Sequence, residues 1–284
     1  MNKKFQSHKA KILLWNVVLI LSFVVMSICY IIDTPISNVF KVIAGFMFVF
    51  SIVVLGLITI KYKEIDSKVL QEYILPTLNN EFKEFQYDAP TGINEGIVRY
   101  LNFISGWNRI EISNHVQGYY RNVSFVESGV LCEYEYQDME GDYRAKRKFS
   151  GRVIVLGISL LDSDEYVEIV SQVNSDYRKP DGVKKATLNY ELEKTHDIYV
   201  SSNELSLPER FLLHLSTMIN TFSEYDFNIR IEKDRIYITI KNIERQAYSI
   251  DSIPTISKES LDILIKKDSY FITNTISSIL GKEE

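Results

Sequence analysis

The residue types that can hold a metal or attack a substrate are present but dispersed. His8, His115, His196 and His214 stand far apart, and none is followed by a second ligand three or four residues on. His214 falls beside an apolar stripe, so it is expected at the edge of a core rather than on an ion. Asp138, Glu140 and Asp142 alternate as the acids of a calcium loop do, but the twelfth position is Phe149 instead of a bidentate Glu. Asp162, Asp164 and Glu165 read as a solvated turn. The glycines are spread out, with neither a P-loop nor a dinucleotide pattern, and Ser105-Gly106-Trp107 lacks the flanking glycine of a nucleophile elbow. These absences predict no catalytic residue, no metal and no cofactor.

What remains is binding chemistry. Arg144, Lys146, Arg147 and Lys148, with Tyr143 and Phe149 beside them, form a candidate contact for an anionic ligand such as a phosphate, a lipid head group or a nucleic acid. The same run fits a charged strand edge or hairpin tip that resists aggregation. Tyr119-Tyr120-Arg121 offers a similar aromatic and cationic pairing, which strand packing also explains.

Two apolar segments dominate the start of the chain. Residues 12–32 and 42–60 are nearly uncharged, each about the length a helix needs to cross a bilayer, and only a short turn containing Pro35 and Asn38 separates them. They predict a helical hairpin, residues 1–63, that crosses and returns, with Trp15, Phe23, Phe46 and Phe50 among its membrane anchors. Lys3, Lys4, Lys9 and Lys11 precede the first segment and Lys61, Lys63 and Lys68 follow the second, whereas Asp33 and Lys41 cancel between them. By the positive-inside rule both the N-terminus and everything after about residue 61 lie in the cytoplasm of a two-span cell-membrane protein. A signal peptide would have a shorter apolar core and a small-residue cleavage site. Cys29 and Cys132 are too few and too separated to staple a fold, as suits a reducing compartment.

Charge divides unequally. Residues 1–63 hold seven of the 32 Lys and Arg and one of the 37 Asp and Glu, a net of +6, which leaves 25 against 36, a net of −11. So acidic a remainder is a poor general nucleic-acid binder, and no nucleic-acid partner is expected.

Past the membrane, the apolar positions of residues 64–85 recur at three-to-four spacing, predicting an amphipathic connecting helix that Pro76 kinks or breaks. Residues 86–284 then read as an α+β domain: a mixed, mainly antiparallel sheet with packed helices. A short helix is expected over 97–104, a half-exposed strand over 130–136 and a strand covered on both faces over 152–158. Residues 137–148 are expected as an exposed loop or hairpin tip. Leu188, Tyr190 and Leu192 alternate as a strand, with a shorter one at 198–201. Ser206 and Glu209 resemble a capping box ahead of an apolar stripe from Leu207 to Phe222. Residues 227–231 and 236–240 read as the hairpin that closes the sheet, and a final helix runs from about 258 to 280, with Ser257 as its cap.

In this order of elements the chain resembles a family of bacterial membrane-anchored proteins known only as a domain of unknown function. The likeness lies in Gly118-Tyr119-Tyr120-Arg121-Asn122-Val123-Ser124-Phe125, in Phe149-Ser150-Gly151-Arg152-Val153-Ile154-Val155-Leu156, and in Leu188 to Phe222, where Leu192-Glu193, Asp197-Ile198-Tyr199-Val200 and Leu207-Pro208-Glu209-Arg210-Phe211 follow one another. The resemblance implies a helical-hairpin anchor with a cytoplasmic α+β domain and transfers no site residue. The expected function is a membrane-tethered interaction or sensor module, whose partners are the lipid bilayer and a protein or a second copy. The alternative is a membrane effector that oligomerises through its helices and perturbs the bilayer.

Overall fold

The structure, a computed structural model, describes residues 2–31, 35–88, 91–161, 164–187, 190–202, 207–245, 247–248 and 256–280. The chain is α+β and divides into two compact units, Met1–Pro76 with Ser249–Ile265 and Thr77–Tyr248 with Lys266–Glu284.

In the first unit, α1 (Asn2–Ile31) packs on α2 (Pro35–Val69), with Trp15 edge-on to Phe50 at 5.7 Å and Phe23 beside Phe48 at 6.3 Å. Ser22 and Ser51 are buried among apolar neighbours, where their hydroxyls donate to the Leu19 and Met47 carbonyls at 2.8 and 2.7 Å. Leu13, Ile20, Phe46 and Ile60 point outward, each more than 60 % exposed at 68, 62, 74 and 65 %. Such surface is unfavourable in water and suited to lipid. Among the described residues one helical stretch, Val39–Glu81, is long and apolar enough to cross a bilayer, while Leu13–Val25 is apolar but shorter.

The connecting helix expected over 64–85 is interrupted and ends sooner. After Val69 the helix widens into a π turn, Leu70–Ile74, and resumes as α3 (Leu75–Glu81) before β1 begins at Lys83. Pro76 has no N–H and its ring crowds the carbonyl four residues back, so widening the preceding turn lets the chain stay helical through it.

In the second unit, β1 (Lys83–Asp88), β2 (Arg109–Tyr120), β3 (Val123–Gln137), β4 (Tyr143–Gly157), β5 (Val167–Ser171), β6 (Lys184–Ala186), β7 (His196–Val200), β8 (Asp226–Ile231) and β9 (Ile236–Lys241) form one nine-stranded sheet. Its order is β1-β2-β3-β4-β9-β8-β5-β7-β6, with antiparallel pairing throughout. The β8–β9 hairpin therefore does not close the sheet; it sits inside it, between β4 and β5. Interior placement buries both faces of the hairpin, so the polar Asn228, Arg230 and Thr239 are buried along with its apolar residues.

Cross-strand partners point the same way, which sorts the core into two layers. One face packs under α4 (Glu95–Tyr100) and the turns after it: Val98, Leu101 and Phe103 meet Val130, Cys132, Phe149, Val153 and Tyr237. On the other face Phe271, in α7 (Lys258–Leu280), packs on Phe227 at 5.9 Å and on Phe222, just past α6 (Glu209–Thr221), at 5.0 Å.

Local differences from expectation have simple causes. The helix expected over 97–104 starts earlier because the Asn94 side chain caps it, accepting from Gly96 N at 2.7 Å, and ends at Tyr100. The strand expected around 188–192 is instead a helical turn, α5 (Tyr190–Glu193), since so short an alternation fits either period and one buried residue, Leu192, anchors it. Leu188 and Asn189 lie outside the described residues. So does Ser206, and α6 starts after Pro208, which makes no side-chain cap bond. Ser257 does cap α7: its hydroxyl accepts from Ser260 N at 3.1 Å, and the Ser260 hydroxyl accepts from Ser257 N at 2.9 Å.

Candidate functional site

The basic run lies in a strand, not in a loop. Only residues 138–142 turn; from Tyr143 the chain is β4, paired with β3 from Gln137↔Tyr143 inward. β9 pairs with β4 only from Gly151 to Leu156, and β2 reaches β3 only as far as Glu133. Residues 134–147 thus form a two-stranded arm beyond its neighbours. Tyr134, Tyr136 and Tyr143 are 45, 43 and 84 % exposed, and Met139 at the tip is wholly exposed.

Strand alternation splits the four cations. Tyr134 faces Lys146 and Tyr136 faces Arg144 across the ladder, so these four share one face, with the two rings stacked at 6.0 Å. Arg147 opposes Glu133 on the reverse face, where Arg109 bonds Glu135 at 2.6 Å. Lys148 belongs to the root of the arm. A register shift sets it apart, and its amine donates to Asp176 at 3.2 Å. Arg144 donates to Asp138 at 2.8 Å, while Lys146 and Arg147 make no ion pair among the described residues. One face is therefore aromatic and cationic and the other is charge-balanced.

Asp138, Glu140 and Asp142 do converge at the tip. The Asp138 carboxylate is already occupied: the Arg144 side chain, and then Glu140 N and Asp142 N at 3.0 Å each, donate to it and hold it below the usual carboxylate range. It is a turn-forming aspartate. His214 sits at a core edge, 3.3 Å from the Thr275 hydroxyl, and burial pushes it down to about 4.

Sequence reasoning missed a second feature. Tyr199, Glu168, Arg230 and Tyr237 are successive cross-strand partners through β7, β5, β8 and β9, a transverse row on the face that α4 covers. Arg230 donates to Glu168 at 2.8 Å, to Glu232 at 2.7 Å and to the Tyr100 hydroxyl at 2.7 Å, with its guanidinium 4.1 Å from the centre of the Tyr166 ring. Tyr177 completes Glu168 at 2.7 Å, and Tyr100 donates to Glu232. Burial, then the Glu168 bond, raises the Tyr177 phenol far above its ordinary value, and burial with the Glu232 bond raises Tyr100 to about 12, so both stay protonated. Of the row only Arg230 reaches an open cleft of about 470 Å³, which it lines with Tyr100, Tyr166 and Glu232 and which Asp164, Lys233 and Asp234 flank. Only the β8–β9 insertion puts these side chains in register, which is why spacing along the chain carried no signal of them.

On the opposite face Arg152 is fully buried between Glu127, at 3.3 Å, and Asp268 of α7, at 2.8 Å, and donates to the Glu244 carbonyl at 2.6 Å. Asp268 also accepts from Tyr248 N at 2.6 Å, while Glu127 Oε2 is buried with no partner among the described residues. In the two networks Arg152, Asp268, Arg230 and Glu168 are each held by structural partners. The arm carries the exposed aromatic and cationic groups that the sequence singled out.

Comparison with known proteins finds no matching family model, no matching curated protein and no matching solved structure.

Proposed function

We propose that this protein is a membrane-tethered interaction or sensor module. In this reading residues 12–32 and 42–60 cross the bilayer and return, the N-terminus and everything after about residue 61 lie in the cytosol, and the arm meets a protein partner or a second copy. Kinship with the bacterial membrane-anchored family belongs to the same proposal. The observation that carries it is the arm: a β-ribbon extended past its sheet, with Tyr134 and Tyr136 stacked beside Arg144 and Lys146 and little of it used to stabilise the fold. Aromatic and arginine side chains held on a rigid element are what protein interfaces enrich.

Two measurements on the full chain in cells test it. With Cys29→Ser removing the other thiol outside the core, Met139→Cys is expected to react with an impermeant maleimide only after permeabilisation; reaction in intact cells would overturn the orientation. A photo-crosslinking residue at Tyr136 is expected to trap one discrete protein or a second copy. A diffuse background equal to that from an exposed site away from the arm, such as Val173, would overturn the interaction reading.

A further inference from the structure

Resting on the reading of the arm as an interaction surface, we infer that the outer edge of β4, residues 143–147, takes up an extended acidic segment of a partner protein as an added antiparallel strand. β4 is 15 residues long, yet β9 covers only Gly151 to Leu156 of it. Alternate backbone N–H and C=O groups of the outer part therefore face outward with no neighbouring strand. Side chains 143–147 are exposed, and no described element lies across them.

Charge selects the occupant. If two copies paired through this edge about Ala145, Arg144 of each would lie opposite Lys146 of the other and Arg147 opposite Tyr143. Direct like-charge opposition is unfavourable, so the edge disfavours its own kind. An acidic strand reverses every sign. Acids at alternate positions, about 7 Å apart at about 3.4 Å per residue, would stand opposite Arg144 and Lys146 on the aromatic face. An acid of the other parity would meet Arg147, and an aromatic or β-branched residue would meet Tyr143. Backbone bonding would supply the geometry and the cations the choice of partner.

The test uses the full-length protein in detergent micelles and a fluorescein-labelled decapeptide that alternates Glu with Val or Thr, read by fluorescence polarisation. Binding is expected to weaken at least tenfold when alternate amides of the peptide are N-methylated so that its bonding edge is blocked, and at least fivefold in Lys146→Glu. A Lys-for-Glu peptide is expected not to bind. Equal binding of the N-methylated peptide would reduce the contact to plain electrostatics and overturn strand addition. So would the absence of binding at 1 mM, or capture of vesicles containing an anionic lipid through Arg144 and Lys146 with no capture of the peptide. None of these outcomes touches the Tyr136 crosslink, so the strand inference can fail while the module reading stands. Lys146→Gln, which keeps the strand and drops the charge, guards against misfolding of the reversed variant and is expected to weaken binding about threefold.

Discussion

Replacing Glu127 by Gln should remove a proton-linked cost of folding. Asp268 already balances Arg152 across 2.8 Å, so an ionised Glu127 is a second anion on one guanidinium, 3.3 Å from it and with Oε2 unpartnered among the described residues. Burial, eased by Arg152 and reinforced by Asp268, pushes the Glu127 carboxyl up to about 7 from an ordinary 4.5. The folded state thus holds this proton more tightly than the unfolded chain does. The group's stabilising contribution is complete below pH 4.5 and is lost as pH rises through 7, about 3 kcal/mol in full and about 2 kcal/mol between pH 5.5 and 8. Two histidines work against it. Burial lowers both His214 and His196, so they stay neutral in the fold and cost stability as pH falls below 6.5. The informative quantity is therefore the difference between wild type and Glu127→Gln, in which the histidines cancel. The new amide adds a constant penalty of about 1 kcal/mol if its N–H groups find no acceptor. Chemical denaturation of the full chain in micelles, followed through Trp107 packed against the core, should show the variant gaining about 2 kcal/mol on wild type from pH 5.5 to 8. Parallel stability curves over that range would refute an ionisable Glu127 in the cluster.

Gly151→Ala should break the β4–β9 seam, since a Cβ there would stand 1.9 Å from the Ile240 carbonyl oxygen; a loss of about 3 kcal/mol or more is expected, and an unchanged melting temperature would contradict the register. Arg230→Met strands Glu168, which has no exposed surface, and should cost about 3–5 kcal/mol. Adding Glu168→Gln to it should restore part of that, so strictly additive losses in a double-mutant cycle would deny the coupling. Cys132 is fully buried and its thiol is pushed up to about 12. In a Cys29→Ser background it should ignore a disulfide reagent at pH 8 until detergent denaturation, and reaction of the native protein at the rate of an open thiol would count against the core.

Elements with a long, consistent period were legible. The stripe from Leu207 to Phe222, the run at 258–280 and the alternations at 227–231 and 236–240 each repeat often enough for one period to win, and each became the expected helix or strand. Shorter signals misled. Four cations within five positions, at 144, 146, 147 and 148, look like a loop because composition reports solvent exposure, and a strand free on both faces is as exposed as a turn. The basic run was visible as a candidate contact, but not the division of its members between two faces and the root of an arm. Arg230 and Glu168 were invisible as a pair, being separated by 62 positions and joined only through β5–β8 pairing.

By itself the sequence determined what depends on neighbours along the chain: apolar segments near the start, an acidic remainder, the period of the long elements and the scatter of metal-ligating and nucleophilic groups. Tertiary structure alone decided that the β8–β9 hairpin lies inside the sheet, that Arg152 and Arg230 are buried with carboxylates from distant strands and α7, and that β4 outruns β9 to leave an open cationic edge. The reason is physical. Local preference follows from a residue's own side chain and those a few positions away, whereas strand order and ion pairing follow from which surfaces exclude water together, a condition set by the whole chain at once.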